Sequence, residues 1–444
     1  MKNELTDLDN GNIKALHWRI VFTAGIGFFT DAYDLFVISV VTTILMPLWH
    51  LTISQLALLN SSALAAAAVG AISFGLLSDK FGRKRLYGVE VAILFFGAIL
   101  AAFSPSYVWL LISRIIVGLG IGGDYPSSAV IASEYAPSQK RGFLVLLVFA
   151  MQAVGLLVGP LLASLLLLTP LHHSLICRIL LGVGAIPAAS VFYLRRKIQE
   201  TSHYLLTQSA PVAVSRVVSD LTGFTRKIKS ECLPQPKPKQ SLLEKKLFIR
   251  LVGTAGAWFL LDVAFYGNSV SSALILKHLN PSATLITNTS TVALIFFLFA
   301  VPGYILAAAY IDRIGRKFLQ MFGFLMIAVA YGLIALIPHA VKNIPLFTAL
   351  FGISFFFVNF GPNTTTFLIP SEVYPTSLRA RAHGISAAWG KVGAFVGAFF
   401  LPYISDLYGL RYTMALLSVI CLFGILSTLL LPEMKGKSLE MIEN

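Results

Sequence analysis

The feature that most constrains this chain is a series of apolar stretches, which recurs about twelve times along its 444 residues. Roughly 20 apolar residues in a helix cross a bilayer, because a helix rises about 1.5 Å per residue and the hydrocarbon core is about 30 Å thick. Lipid offers no partner to backbone N–H and C=O groups, so a spanning segment is a helix or part of a closed barrel. The alternation of a barrel strand is absent, which predicts an all-α membrane protein with twelve transmembrane helices. The expected spans cover residues 19–48, 56–78, 86–103, 106–135, 142–168, 174–194, 248–276, 283–311, 318–338, 345–374, 382–405 and 411–431.

The composition excludes a soluble protein and gives no sign of a cleaved leader. Hydrophobic residues make up 57% and charged residues 12% of the chain, and the mean hydropathy is +0.79. A soluble domain carries about 25% charged residues. Residues 1–17 hold several charges and no apolar core followed by a cleavage site. We therefore expect the first span to stay in the mature chain.

The net charge of +14 is explained by membrane topology rather than by binding to nucleic acid. Lys and Arg are concentrated in alternate loops, as expected of loops that stay in the cytoplasm. The intervening loops show little beyond Lys277, Lys342 and Arg411. We expect a multi-pass protein of a bacterial inner membrane or a plasma membrane, surrounded by lipid, with both termini in the cytoplasm. The side that we call the basic side carries Lys80, Arg83, Lys84, Arg85, Lys140, Arg141, Arg195, Arg196, Lys197, Arg313, Arg316, Lys317, Arg379 and Arg381.

The chain divides in the middle. Residues 198–246 lose apolar periodicity and contain the sequence PQPKPKQ, which is typical of a solvated linker. We therefore predict three segments: a six-helix bundle over residues 1–197, a cytoplasmic linker over 198–246 and a second six-helix bundle over 247–444. Because six crossings return the chain to its original side, the two bundles would point the same way.

Two motifs repeat between the halves and indicate a duplication. GLLSDKFGRKR, with Asp79 and Arg83, returns as AAYIDRIGRKF, an offset of 233 (312 − 79). SEYAPSQKRG, with Glu134, returns as SEVYPTSLRARAHG, an offset of 238 (372 − 134). An acid at a helix end can bind an arginine of a facing loop, so we expect each pair of motifs to latch the basic side. A simpler alternative is that these residues only anchor the topology. The expected clusters are Asp79, Arg83, Glu134 and Arg141, and Asp312, Arg316, Glu372 and Arg379 or Arg381.

Several ionisable residues fall inside apolar helices, where they are candidates for an ion or substrate pathway. Asp34, Asp124 and Asp262 lie in three separate spans, and Asp31 precedes Asp34 by three residues. We expect Arg114, on the same span as Asp124, to pair with ionised Asp34 and to release it on protonation. The alternative is a static buried salt bridge that supports packing.

A cation and a polar stripe point to an anion site in the second half. Lys391 lies in the eleventh span, near the middle of the membrane, with glycines on either side. A desolvated ammonium favours an anionic partner, although snorkelling of Lys391 to the interface is the alternative. Trp258, Asp262 and Tyr266 are four residues apart, so they share one face of a helix and can form a pocket wall or, alternatively, packed core.

The chain resembles the major facilitator superfamily through its loop motifs, the sequence RIIVGLG and the closing PEMKGKSLE. The segments GGDYPSSAVIASEY, GTAGAWFLLDVAFYG and SEVYPTSLRARAHGISAAWGKVGA are similar to those of its phosphate:proton symporter family. The resemblance implies the major facilitator fold, symport of inorganic phosphate with protons, and proton passage through Asp31, Asp34 and Asp124. After the sixth span the chain departs from the family pattern with QETSHYL, so a latch role for that segment has no support. The implied substrate-binding residues are Tyr125, Gln152, Trp258, Asp262, Tyr266, Asn363 and Lys391.

The sequence offers little support for other functions. Three scattered cysteines and eight histidines, mostly in loops, give no metal-binding spacing, so we expect no metal or cofactor. No Walker loop, GxSxG elbow or paired nucleophile and base is present, so we expect no enzyme and no ATP-driven pump. The alternatives that remain are a proton-coupled symporter of a sugar or organic anion and a phosphate receptor that does not transport. One bundle contains a complete pathway, so a monomer is expected to suffice.

Overall fold

Residues 12–201, 204–205, 240–270 and 282–439 are described by the computed structural model. Within these residues, twelve helices are long and apolar enough to cross a membrane, as the sequence predicted. They are α1 (Ala15–Leu48), α2 (Ile53–Phe81), α3 (Arg83–Ala102), α4 (Tyr107–Tyr135), α5 (Ser138–Leu167), α6 (His173–Arg196), α7 (Lys245–Ser269), α8 (Leu285–Ile314), α9 (Arg316–Leu336), α10 (Ile344–Glu372), α11 (Arg379–Tyr408) and α12 (Leu410–Leu429).

The predicted boundaries differ from the observed ones in two informative places. The seventh helix begins at Lys245, within the predicted linker, and the predicted residues 271–276 lie outside the described part of the chain. Helix α10 is broken at Gly361, where the backbone leaves the helical region before Pro362 starts a second helical segment. Most of the predicted linker, residues 206–239, also lies outside the described residues.

Helix starts and tight turns follow local sequence rules. Thr52 accepts a hydrogen bond from the Gln55 backbone while the Gln55 side chain returns to Thr52, which forms a capping box at the start of α2. The loop motif turns sharply at Gly82 between α2 and α3, and at Gly315 between α8 and α9. Their φ angles are +94° and +110°, in a region where a side chain would be strained.

The two halves of the sequence meet along α2 and α11, which are among the most extensively packed helix pairs together with α7–α11, α2–α4 and α1–α5. Small residues allow the close approach of α2 and α11. A Cβ atom added at Gly75 would lie 2.8 Å from the Ala380 carbonyl oxygen and 3.1 Å from the Gly384 Cα. Glycine at such positions is typical of helix packing in membranes, where backbones approach closely.

Burial inverts the pattern of a soluble protein. Large apolar side chains such as Phe96, Leu165 and Phe297 are exposed on the outside, as expected of a surface that faces lipid. Charged side chains are buried among the helices, including Asp34, Asp262 and Lys391, which are at most 2% exposed. The bundle therefore positions its ionisable groups in an interior that is shielded from both lipid and bulk water.

Candidate functional site

Lys391 of α11 lies at the centre of the candidate site. Its ammonium donates hydrogen bonds to the phenolic oxygens of Tyr125 on α4, at 2.9 Å, and Tyr266 on α7, at 3.0 Å. The same ammonium lies 4.2 Å and 4.6 Å from the centroids of these two rings, within the range of a cation–π contact. The side chain is 1% exposed, so it does not snorkel. Residues from both halves therefore surround one buried cation.

Asp262 is the nearest carboxylate to Lys391, yet the two do not form a hydrogen bond. The closest approach is 3.9 Å, from Lys391 Nζ to Asp262 Oδ2. Neither carboxylate oxygen of Asp262 has a hydrogen-bond partner among the described residues. A buried carboxyl group without partners is costly, and the cost falls when the group is protonated or when a ligand supplies a partner. Lys391 and Asp262 thus stand side by side at the limit of an ion pair, with both oxygens of the acid available to a proton or a ligand.

A chain of neutral polar groups extends from Tyr125 across the second half. The Gln152 amide of α5 donates to the Tyr125 oxygen at 3.1 Å, and the Tyr304 hydroxyl of α8 donates to the Gln152 Oε1 at 3.2 Å. Asn363, just after the break in α10, donates to the Tyr304 oxygen at 2.8 Å. Tyr304 was not predicted as a site residue. Its position in an apolar helix carried no charge or motif by which the sequence would reveal it.

Trp258 completes one wall of the site, on the same face of α7 as Asp262 and Tyr266. Its ring centroid lies 5.8 Å from that of Tyr125. The indole fits because Gly390 lies opposite: a Cβ atom there would lie 2.5 Å from Trp258 Cδ1. One of the two glycines that flank the Lys391 turn therefore gives space to the aromatic wall.

Aromatic rings close the site from two directions. Phe36 of α1 packs against Tyr266 and Phe296, with ring centroids 6.3 Å and 5.8 Å away. Closer to the basic side, Phe149 of α5 stacks on Phe367 of α10 with centroids 4.5 Å apart. Each layer joins a ring of the first half to rings of the second half, so movement of one half against the other would separate them.

The predicted contact between Arg114 and Asp34 is present. Arg114 Nη1 donates to Asp34 Oδ2 at 2.6 Å, and both side chains are buried. Asp31, one turn before Asp34, is also buried, but neither of its carboxylate oxygens has a hydrogen-bond partner in the part of the chain that is described. A role of these acids in proton passage stays a prediction.

Asp124 has a partner that the sequence analysis placed wrongly. Arg195 was expected in a loop of the basic side, but it is buried at the end of α6 and binds both oxygens of Asp124, at 2.7 Å and 2.8 Å. The same guanidinium donates to Glu90 at 2.9 Å, a buried acid of α3 that was also missed. The sequence analysis assigned Arg195 to a basic loop, because the sequence does not distinguish the end of a helix from the loop that follows it. The space for this group depends on Gly27, where a Cβ atom would collide with Asp124 and Arg195.

The latch residues come together on the basic side, but their expected grouping is corrected. Arg83 binds Asp79 at 3.6 Å and Glu134 at 3.3 Å, as expected. Arg379, expected in the second cluster, binds Glu134 of the first at 2.8 Å. The Arg381 contribution comes from its backbone N–H, which donates to Asp79 Oδ2 at 2.8 Å. Both residues of the second half therefore contact acids of the first half.

The second cluster shows the converse exchange. Arg316 binds Asp312 at 2.9 Å and Glu372 at 3.0 Å. Asp312 also accepts hydrogen bonds from the backbone N–H groups of Gly142 and Phe143, at the start of α5 in the first half. Arg141 lies beside this cluster rather than with the first, and its guanidinium donates to the Lys437 carbonyl oxygen at 2.9 Å. The two clusters join the halves, because the acids of each cluster accept hydrogen bonds from residues of the other half.

The segment QETSHYL takes part in the latch, contrary to the sequence analysis. The Glu200 carboxylate accepts hydrogen bonds from the backbone N–H groups of Arg83 and Lys84, each at 3.1 Å, and so caps the turn at Gly82. Glu433 does the same for Arg316 and Lys317, at 3.2 Å and 2.9 Å. The offset between these acids, 233 (433 − 200), equals that of the loop motif. Burial raises the pKa of the Glu200 carboxyl, while hydrogen bonds from Lys84 and Thr201 oppose that shift.

Among the described residues, no group of three or more His, Cys, Asp or Glu side chains is arranged to hold a metal ion. The site around Lys391 thus consists of neutral polar groups, aromatic rings, one cation and one acid, Asp262. A cluster of polar groups from both halves, buried inside a twelve-helix membrane bundle whose halves are joined on one side by ion pairs, is the arrangement of a membrane transporter.

The chain belongs to the sugar (and other) transporter family, whose model matches residues 20–444. It is 35% identical to inorganic phosphate transporter 1-1 of Arabidopsis thaliana, over 98% of this chain and 96% of that protein. It is also 35% identical to low affinity inorganic phosphate transporter 1 of Petunia hybrida, over 98% of this chain and 94% of that protein. The proposed resemblance to phosphate transporters is thereby confirmed, and the expectation that the chain is not an enzyme agrees with a family of transporters.

The fold is that of the major facilitator superfamily. The chain is similar to the proton:xylose symporter XylE bound to 6-bromo-6-deoxy-D-glucose, with a TM-score of 0.81 and 18% sequence identity. The match covers 96% of this chain and 98% of that chain. The prediction of an all-α major facilitator fold is therefore correct.

Proposed function

We propose that this protein is a secondary transporter that carries inorganic phosphate together with protons, by alternating access between its two halves. The single observation that carries the proposal is the environment of Lys391, a buried ammonium that donates to two phenols and lies 3.9 Å from a carboxylate, too far for a hydrogen bond between them. A compact, buried cation binds an anion far more readily than a neutral sugar. The names of the relatives as inorganic phosphate transporters support the choice of anion.

In this proposal, phosphate binds in contact with Lys391, between α7 and the helices of the first half. Tyr125, Tyr266, Gln152, Trp258 and Asn363 supply neutral hydrogen-bonding groups around the anion. Such groups stabilise the charge without adding to it, and they turn from one another to the ligand at little cost. The ligand replaces the contacts that Lys391 makes with the two phenols.

Asp262 is the proposed point at which proton binding and phosphate binding meet. In the buried interior, where the dielectric constant is low, an ionised Asp262 would repel the phosphate anion, whereas a protonated Asp262 donates a hydrogen bond to it. Phosphate and a proton on Asp262 therefore favour each other's binding. The reverse holds on release, because loss of the proton restores the repulsion.

Proton passage through the first half is proposed for Asp31, Asp34 and Asp124. Asp34 and Asp124 are each held by one arginine, Arg114 and Arg195. Protonation of either acid removes the charge that holds the arginine, so the helices that carry the pair are free to shift. Asp31 has no arginine partner among the described residues, and we propose it as the intermediate proton carrier.

The remaining parts of the proposal concern topology and architecture. The basic side faces the cytoplasm, both termini lie there, and the membrane is an inner or plasma membrane. Residues 1–197 and 247–444 move as two bundles joined by the linker 198–246, and one copy of the chain suffices for transport. The residues Asp79, Arg83, Glu134, Arg141, Asp312, Arg316, Glu372, Arg379 and Arg381 form the cytoplasmic gate.

Uptake of labelled phosphate into proteoliposomes, driven by an imposed pH gradient, tests the proposal. We expect the wild type to accumulate phosphate and Lys391→Gln to lose this accumulation. The control Lys342→Gln, which replaces a lysine outside the polar cluster around Lys391, should retain it. Unlabelled xylose or another sugar should not compete, whereas competition by sugar and unchanged uptake in Lys391→Gln would favour a sugar carrier. Phosphate binding without any flux would leave a receptor.

A further inference from the structure

A cavity of about 170 Å³ lies in the first half, at the side of the bundle opposite to the basic side. It is formed where α1 ends, where the turn from α3 to α4 lies and where α6 begins. A single water molecule needs roughly 10–15 Å³ of such free volume, so the cavity has room for several waters or a small oxyanion. The cavity is separate from the polar cluster around Lys391, because none of the residues proposed to bind phosphate beside Lys391 lines the cavity.

Arg178 is the charged residue of this cavity. It lies one turn after Ser174 on α6 and is half-buried. One nitrogen, Nη1, donates to the Ala102 carbonyl oxygen at 3.2 Å. An arginine has five N–H donors, and the others of Arg178 make no hydrogen bond to the described part of the chain. Among the described residues, no carboxylate forms an ion pair with Arg178.

This arginine is unusual for its position. The opposite side of the molecule carries few basic residues. Arg83, Arg114 and Arg195 of the bundle each bind an acid, whereas Arg178, like Arg411, binds a backbone carbonyl oxygen. A guanidinium that is partly removed from water and has no anionic partner favours the binding of an anion. The planar guanidinium can bind two oxygens of a phosphate group at once, so it matches a phosphate group better than it matches a spherical anion.

The rest of the lining completes a site for a small oxyanion. The Ser174 hydroxyl forms no hydrogen bond with the described residues, so it is free to donate to a ligand. The Ser104 side chain lies on the opposite wall and bonds the Leu100 carbonyl oxygen at 3.1 Å. The floor is apolar and closed by Leu45, Leu110 and Leu181, which are all below 5% exposed. A closed apolar floor excludes water from one side and so strengthens the attraction of Arg178 for an anion.

We propose that the cavity around Arg178 and Ser174 is a second phosphate-recognising site, on the side of the membrane from which substrate enters. The phosphate group comes from inorganic phosphate or from the headgroup of a lipid. The inference rests on the proposed function, because a phosphate carrier gives a reason for a phosphate-binding site at its entrance. It differs from the central site in lying within one half, so it does not need the two halves to close.

Equilibrium dialysis of the purified full-length protein against labelled inorganic phosphate tests the free-phosphate source. In a Lys391→Gln background, which removes the central cation, we expect binding of one phosphate to persist. Adding Arg178→Gln should weaken this binding about 10- to 100-fold, the range expected when a hydrogen bond to a charged group is lost. Arg178→Lys should restore part of it, because the charge returns without the planar guanidinium.

Arg411→Gln is the matched control, since Arg411 also lies on the opposite side and bonds a backbone carbonyl, that of Ala335, but does not line the cavity. It should leave phosphate binding unchanged. Mass spectrometry of the protein released from membranes that contain an anionic phospholipid tests the lipid source. Retained lipid that is lost in Arg178→Gln, without binding of free phosphate, supports a headgroup as the ligand.

The proposal is overturned if Arg178→Gln changes neither free-phosphate binding nor lipid retention while the thermal unfolding midpoint stays that of the wild type. The two proposals fail separately. Uptake that depends on Lys391 with no Arg178-dependent binding would leave the transport function intact. Arg178-dependent binding without any phosphate flux would instead refute transport and leave the second site.

Discussion

Arg379 and Glu134 form a 2.8 Å ion pair between residues 245 positions apart in the chain, and both side chains are fully buried. Arg83, of the first half, binds the same carboxylate oxygen, Glu134 Oε1, at 3.3 Å and also donates to the Thr376 carbonyl oxygen of the second half at 3.0 Å. Glu134 is therefore held by cations of both halves. We expect the closed state of the basic side to depend on this acid.

Arg379→Gln should open the basic side. Breaking a buried ion pair by removing one partner costs roughly 3–5 kcal/mol, which is enough to shift a two-state equilibrium strongly. The measurement is the rate at which a thiol reagent labels Thr376→Cys, a residue that is buried in the closed state, in a Cys232→Ser background. We expect faster labelling in Arg379→Gln than in the parent.

Arg381→Gln is the control for this experiment. Arg381 contributes its backbone N–H to Asp79, and that group survives the substitution. Both variants lose one positive charge from the basic side, so equal labelling rates would mean that general charge, rather than the bond to Glu134, closes the gate.

Asp262→Asn should separate phosphate exchange from proton-driven accumulation. The amide resembles the protonated acid in shape and in its ability to donate a hydrogen bond, so phosphate still binds beside Lys391. Counterflow of labelled phosphate in proteoliposomes should continue, whereas an imposed pH gradient should no longer drive accumulation. Accumulation at the wild-type level would remove Asp262 from the coupling step.

Asp34→Asn should also abolish accumulation and leave exchange measurable, but for a different reason. The substitution removes the charge that holds Arg114 at 2.6 Å, so the equilibrium between conformations no longer responds to protons at this pair. Uptake against a phosphate gradient and phosphate binding are measured on the same preparation. Unchanged uphill uptake would show that the pair is only a structural salt bridge.

Gly27→Ala should disturb the ion pair between Asp124 and Arg195 without changing either residue. The new Cβ atom would collide with both side chains, which are packed against the backbone of α1. We expect a lower thermal unfolding midpoint, a loss of about 1–3 kcal/mol as for overpacking in a core, and reduced proton-driven uptake. Gly184→Ala is the control, because its Cβ atom would meet its nearest neighbours at 3.6 Å, an ordinary contact distance. Equal effects of both substitutions would contradict the assignment.

Glu200 should give the latch a pH-dependent stability. Burial raises the pKa of this carboxyl, so the folded protein binds its proton at a pH at which the unfolded chain is still ionised. Stability from this group is therefore gained as the pH falls from neutral towards the ordinary range of a glutamate, and lost as the pH rises. The thermal unfolding midpoint of the wild type, compared with that of Glu200→Gln, should rise on mild acidification. A constant difference between the two proteins across that range would refute the prediction.

The sequence was sufficient for those features that depend on one helix at a time. Apolar length predicted the twelve spans, and the four-residue spacing of Trp258, Asp262 and Tyr266 predicted their shared face. Lys391 was recognised because a cation in an apolar span is costly wherever the helix points. These properties are local, so they can be read without knowing which helices are neighbours.

Features that depend on contacts between helices were harder to predict. Arg195 and Arg379 are read from the sequence as loop cations, since nothing local distinguishes a helix end that faces solvent from one that turns into the bundle. Tyr304 was missed because a single phenol in an apolar helix is commonly core. Glu200 was missed because its role as a cap depends on a turn more than a hundred residues away in the chain; the matching offset of Glu433 is the signal that could have revealed it.

The crossing of α2 and α11 has a consequence for how such a molecule can rock. At Gly75 and Gly384 the two main chains approach each other directly, because neither residue has a side chain. At these two positions no side chain has to disengage when one bundle pivots over the other, so the helices can stay in contact during the movement. The ion pairs that join the halves on the basic side, such as Arg379 with Glu134, then add directly to the energetic barrier against pivoting.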